Sequence, residues 1–132
     1  MVTITLSSFP CPCCGYIVFD GPPGSYDICP ICFWEDDLSQ LRFARMGGGA
    51  NRTSLLEAQR NFADSGGVSE PRFRQQVRAP STLDRRDPSW RPLDENDNHV
   101  EDPTPGADYG AAYPADPTTL YYWRPTFWRR RS

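Results

Sequence analysis

Two pairs of cysteines constrain this chain more than anything else in it. Cys11 and Cys14 form one C-x-x-C, Cys29 and Cys32 form a second, and 14 residues separate the pairs. Two residues between cysteines let a tight turn aim both sulfurs at one ion, and the turn's backbone N–H groups can hydrogen-bond the thiolates. The full spacing is close to a four-cysteine zinc pattern. A fifth cysteine, Cys13, lies inside the first pair, in "FPCPCCGY". Such a turn favours glycine just after its second cysteine. Gly15 follows Cys14, whereas Cys14 follows Cys13, so the expected ligands are Cys11, Cys14, Cys29 and Cys32. The second turn, "CPICF", carries Phe33 in the glycine position, which predicts a less regular turn there.

Four thiolates in a tetrahedron suit Zn²⁺ or a rubredoxin-type iron. The spacing does not separate the two, and zinc is preferred for its prevalence. Four protein ligands leave no coordination position for water or substrate, so metal-hydroxide chemistry is not expected. A core of this size rarely stabilises itself by packing alone. Structural zinc contributes about 10–16 kcal/mol in small peptides, more than the whole stability of many domains. The metal is therefore expected to be the scaffold.

The 132 residues include 14 prolines and 10 glycines, only 38% are hydrophobic, and the mean hydropathy is -0.63. That composition predicts a small core with much irregular chain. "MVTITLSSFPC" has no basic leader and no long apolar run, so neither a signal peptide nor a membrane span is expected. A reducing cytoplasm is the expected location, where close cysteines bind metal more often than they form disulfides. All 14 basic residues are arginine and the formal net charge is -3. An acidic balance disfavours general nucleic-acid binding.

The chain divides into residues 1–70, which hold every cysteine, and a tail, 71–132. In the first part "VTITL" alternates like a short strand. "YIVF" and "SYDIC" flank the turn cluster "DGPPG", which predicts a β-hairpin between them. The helix signal is "SLLEAQRNFADSGG": Ser54 as N-cap, Glu57 completing a capping box, Leu55, Ala58 and Phe62 as an apolar stripe with Leu56 and Ala63 beside it, and Gly66 and Gly67 as the stop. So short a helix needs the hairpin to lie against. The fold class is a small α+β domain: a zinc-ribbon-like hairpin with one packed helix, then a largely irregular tail. "MGGGAN" before the helix is a flexible connecting loop, or an anion-cradling nest.

The tail segregates its charge. Residues 84–116 carry nine acids against three arginines, and residues 117–132 carry four arginines and no acid. The acidic block is solvating, but "LYYWRPTFWRRR" is too aromatic for that. Trp123 and Trp128 are expected to dock back onto the domain, to meet a partner protein or, less readily, to meet nucleic acid or an anionic membrane surface.

Cys13 has two readings: a redox-active thiol beside the metal, or a small residue or spare sulfur in a turn, of which the second is simpler. In "FWEDD", Phe33 or Trp34 would shield the thiolates. Glu35, Asp36 and Asp37 could meet a cationic partner or ion, although such carboxylates more often cap backbone N–H groups. His99 stands alone in a polar tract. "DENDNHVED" begins like a calcium loop but lacks its glycine and its glutamate. "NRT" at 51–53 is a glycosylation sequon by letter only.

At "PCPCCGY", "YDICPICFWEDD" and "GGANRTSLLEAQRNF" the chain resembles the cysteine-rich CPCC domain family of small bacterial proteins, from about Phe9 to Gly67. The resemblance implies a zinc-ribbon-like metal domain with Cys11, Cys14, Cys29 and Cys32 as ligands. It places Trp34 to Asp37 in an acidic word and Gly48 to Asn51 in a glycine word, and it implies no particular activity.

The functional expectation is a non-enzymatic zinc protein that works through contact with another protein, with Trp34, Glu35, Asp36, Asp37, Trp123 and Trp128 as contact candidates. A rubredoxin-like iron electron carrier and a nucleic-acid-binding zinc ribbon are the alternatives.

Overall fold

The structure is a computed structural model that describes residues 8–94, 96–97, 100–102 and 113–128. "VTITL", His99 and Arg129 to Arg131 lie outside them. The fold is small α+β. Strand β1 (Phe9–Pro10) pairs antiparallel with β2 (Ile17–Phe19), in the register Phe9 with Phe19 and Pro10 with Ile17. Helix α1 spans Leu38–Arg42 and α2 spans Leu55–Asp64. Two 3-10 turns follow, Pro71–Gln76 and Pro117–Leu120. Among the described residues no helix is long and apolar enough to cross a membrane.

The hairpin differs from expectation. Residues 17–19 do form a strand, but it pairs backward with 9–10, not forward across "DGPPG" with 25–29. Residues 25–29 turn back instead on the segment after the second cysteine pair, through the Ile28–Glu35 bridge. The physical reason is that each cysteine turn is itself a hairpin loop. It reverses the chain over five residues and brings its own flanks into register, which forestalls pairing across the longer, proline-containing turn.

Helix α2 starts and stops where its sequence says. Ser54 Oγ accepts from the Glu57 N–H at 3.1 Å, and the Leu56 N–H donates to the Ala44 carbonyl at 2.9 Å. Gly66 and Gly67 take φ of 80° and 85°, and the Gly67 N–H closes the helix on the Phe62 carbonyl. Of the apolar stripe and its neighbours, Leu55 and Ala58 are buried, Leu56 and Phe62 are half-buried, and Ala63 is exposed. The inner face also holds a buried Gln59. Its amide donates to the Pro12 carbonyl at 2.9 Å and the Tyr122 hydroxyl at 2.8 Å, and its oxygen accepts from the Leu93 N–H at 2.8 Å.

Helix α1 was not expected. Asp37 caps it, accepting from the N–H groups of Ser39 and Gln40 at 2.8 and 3.2 Å. Its other oxygen accepts from the Ala50 N–H at 2.8 Å. Gln40 then fastens the glycine loop, donating to the carbonyls of Met46, Asn51 and Thr53 and accepting from Asn51. A Cβ on Gly49 would stand 2.7 Å from Asp37 and 2.8 Å from Gln40. The loop is thus pinned by side chains, and the Ala50 and Asn51 N–H groups are already spoken for. Asn51 is itself buried, with its amide on Glu35 and Gln40, so the sequon is not presented to solvent.

One core joins the cysteine turns to the far end of the chain. Cys11, Cys13, Cys14, Cys29 and Cys32 cluster with Phe19, Ile31, Trp34, Leu41, Leu55, Ala58 and the C-terminal Leu120, Tyr121, Tyr122, Trp123 and Phe127. Asp87 anchors this return. Its carboxylate accepts from the Trp123 indole at 3.0 Å, from Arg124 at 3.0 Å and from the Ser89 N–H and hydroxyl. Burial pushes the Asp87 carboxyl up, but hydrogen bonds from Ser89, Trp123 and Arg124 outweigh it and hold the pKa at about 2. Arg42 adds a second tie. It pairs with Glu101 at 3.0 Å and stacks on Phe43, Tyr113 and Trp128 at 4.8, 4.6 and 4.9 Å.

Asp87→Asn is expected to lower stability by on the order of 1–3 kcal/mol, the cost of weakening buried charge-assisted bonds. A carboxyl whose folded pKa is depressed stabilises the fold above its ordinary pKa and loses that contribution as pH falls. In urea titrations the gap between parent and variant should therefore close between pH 3.8 and about 2.

Candidate metal centre

The two cysteine turns are built alike. The Cys11 N–H donates to the Tyr16 carbonyl at 2.8 Å, and the Gly15 N–H to the Cys11 carbonyl at 2.7 Å. Eighteen positions on, Cys29 pairs with Trp34 and Phe33 with Cys29, both at 2.9 Å. Gly15 and Phe33 occupy the same point of the turn with φ of 80° and 70°. The second turn is therefore as regular as the first, against expectation. Phe33 adopts a left-handed conformation that costs a side chain roughly 1–2 kcal/mol. Its ring packs on Phe73 at 4.3 Å between centroids, which offsets part of that cost. Gly15 has a second reason to be glycine, since a Cβ there would stand 2.6 Å from the Trp90 ring.

The turns face each other across the core. Cys11 Sγ lies 3.6 Å from Cys32 Sγ, and Cys14 Sγ lies 3.8 Å from Cys29 Sγ. All four sulfurs fall within 4.8 Å of one another, and every one of these cysteines is fully buried. A tetrahedron with metal–sulfur bonds of about 2.3 Å has edges of about 3.8 Å. The donor set and its spacing therefore fit one tetrahedral, thiolate-preferring ion, with no edge left open to solvent.

The electrostatics agree. Burial pushes the Cys11 and Cys32 thiols well up. Burial acts on Cys29 too, but hydrogen bonds from Cys11, Cys14 and Cys32, and from the Cys32 backbone, carry it well below its usual range. The Ile31 and Cys32 N–H groups both reach Cys29 Sγ at 3.4 Å. Without a cation, burial holds the Cys11 and Cys32 thiols neutral, while the hydrogen bonds on Cys29 favour its thiolate. A divalent ion would supply the charge that lets Cys11 and Cys32 ionise.

Cys13 occupies, in the first turn, the position that Ile31 occupies in the second, and both are fully buried. Burial pushes its thiol up as well. It fills core space where its counterpart is a plain aliphatic residue.

The other candidates fall in different places. Trp34 is fully buried in the cysteine cluster, where it excludes water. Asp36 is buried and accepts from the Ser25 hydroxyl at 2.7 Å, and burial raises its pKa. Asp37 is buried as the cap of α1. Glu35 is half-buried, with both its backbone groups on the Asn51 amide. Trp123 is buried far along the chain, on Asp87, and Trp128 is half-buried beside Arg42. The structure does not gather these six into one surface.

What the sequence reading missed is the cover over the turns. Five of their carbonyls are met by donors from later in the chain. Gln59 and Trp90 donate to Pro12 at 2.9 and 3.0 Å, and Arg86 Nε donates to Cys14 at 2.8 Å. The Asp87 N–H donates to Gly15, the Arg78 N–H to Pro30, and the Ser69 N–H to Cys32. Bare polar and arginine-rich stretches give no signal of such pairing.

Cys13→Ala is expected to keep the metal and cost on the order of 1–2 kcal/mol, as for a small core cavity. Cys11→Ser or Cys32→Ser should abolish tight binding, as read by metal content after dialysis. Gly15→Ala should cost more than about 2 kcal/mol through overpacking and a strained φ, read from the denaturation midpoint.

A family model described as Cysteine-rich CPCC matches residues 9–84. The match starts at β1, contains both cysteine turns and both helices, and runs on past the glycine pair at 66–67. Residues 85–128, which supply Arg86, Asp87, Trp90 and the aromatic return, lie beyond it. No curated protein matches the chain. Because the match spans more than half of the 132 residues and includes all four converging cysteines, this chain belongs to the cysteine-rich CPCC family.

Proposed function

We propose that the chain is a non-enzymatic zinc protein whose metal is structural and whose working surface is a contact with another protein. One observation carries the first half: four fully buried sulfurs spaced as the vertices of a single tetrahedron. Such a site holds an ion by its own residues alone, leaving no position at which a substrate or water could bind. Zinc is favoured over iron on grounds of prevalence, as the thiolate geometry suits both.

The contact half of the reading draws on exposure. Among the described residues the most exposed large apolar side chains are Tyr26, Ile28 and Leu83, at 58%, 46% and 90% exposure. A protein partner would meet these before it met Trp34, Asp36, Asp37 or Trp123, which are committed inside the fold.

The test is the metal content of the full chain purified without added metal, by elemental analysis and native mass spectrometry. One zinc per chain is expected, with loss of the folded circular dichroism spectrum on treatment with a strong chelator. One iron and a red colour would replace this reading with electron transfer. No metal, or a spectrum indifferent to chelation, would overturn the scaffold reading.

A further inference from the structure

A divalent ion on four thiolates leaves a net charge of two negatives. Here that charge would sit among fully buried sulfurs, where an uncompensated charge is costly. The second turn answers part of this with its own backbone, through the two N–H groups on Cys29 Sγ. In the first turn, among the described hydrogen bonds, no backbone N–H reaches either Cys11 or Cys14 sulfur. What the first turn has instead is a cation. Arg86 Nε sits on the Cys14 carbonyl at 2.8 Å, and its guanidinium is held beside the Tyr16 and Trp90 rings at 4.9 and 4.8 Å.

Two further facts single out this arginine. Arg78 also lies over a cysteine turn, but its guanidinium is bidentate to Asp84 at 2.7 and 2.9 Å, so its charge is largely matched. Arg86 has no carboxylate partner among the described residues. Its ring clamp is also well defined. Tyr16 follows the first turn directly. Trp90 is fixed by its indole N–H on Pro12 and by close approach to Gly15. The clamp holds an unmatched positive charge at the turn whose sulfurs lack backbone donors.

We infer that Arg86 is the electrostatic counterweight of the four-cysteine centre, a positioning residue that sets how tightly the first turn holds its metal. The inference rests on the metal reading above. It gives a role at the centre to a residue beyond the part of the chain that matches the family, and makes the segment after residue 84 part of the metal site.

The test uses the full chain with zinc, in competition with a chromophoric chelator, at low and high salt. Arg86→Met should weaken zinc binding by about tenfold, the lower range for loss of an outer-shell partner. Arg86→Lys, which keeps the charge but not the planar fork, should stay within about threefold of the parent if charge is what matters. The gap between parent and Arg86→Met should shrink at high salt, because Arg86 is exposed and screening acts on charge but not on packing. If Arg86→Met does not fold, Arg86→Gln, which keeps a donor for the Cys14 carbonyl, carries the same expectation. Parent-like affinity in the charge-free variants, an equal loss with lysine, or a salt-independent gap would each overturn the inference while leaving the metal reading intact. A parent chain that takes up no zinc would overturn both.

Discussion

The convergence of two five-residue turns on one point is the constraint from which the rest of the structure follows. Each turn needs a left-handed residue at its end, and so residues 15 and 33 are fixed in conformation. Each reverses the chain, and so the segments that flank it pair with each other, leaving Tyr16 and Ile17 to take up residues 85–86 on their other side. The sulfurs are fully enclosed, and so a hydrophobic core must surround them, with Ile31, Trp34 and Phe19 from the same neighbourhood and the C-terminal aromatics from the other end.

Polar residues do the fastening between these parts. Gln40 and Asp37 hold the glycine loop to α1, Gln59 joins α2 to the first turn and to Tyr122, and Asp87 holds the returning Trp123 and Arg124. Each is buried and each has its hydrogen-bonding capacity met, which is the condition under which a buried polar group stabilises rather than costs. A specific fold with a thin core is consistent with this division: apolar residues around the sulfurs, directional bonds between the segments.

The centre was legible in the sequence because it depends on local spacing. Cys11, Cys14, Cys29 and Cys32 declare themselves by two intervals, and Gly15 decides between Cys13 and Cys14. Helix α2 was legible for the same reason, since Ser54, Glu57 and the glycine pair are all local signals. The strand partners were not, because "YIVF" and "SYDIC" are adequate strands in either pairing and only the closure of the cysteine turns selects one. Helix α1 is hidden by its own cap: Asp37 stands in an acidic run, though Leu38 and Leu41 lie at helical spacing behind it. The tasks of Gln40, Gln59 and Arg86 depend on carbonyls brought near by folding, and no periodicity announces them.

The order of these parts along the chain has a consequence for how the protein is made. The four converging sulfurs are synthesised before the groups that close over them, from Gln59 to Trp123. During synthesis the two turns are therefore exposed to the surroundings before their cover exists. Only when the returning aromatic residues emerge can the centre be sealed, so whatever enters it does so before the cover is complete.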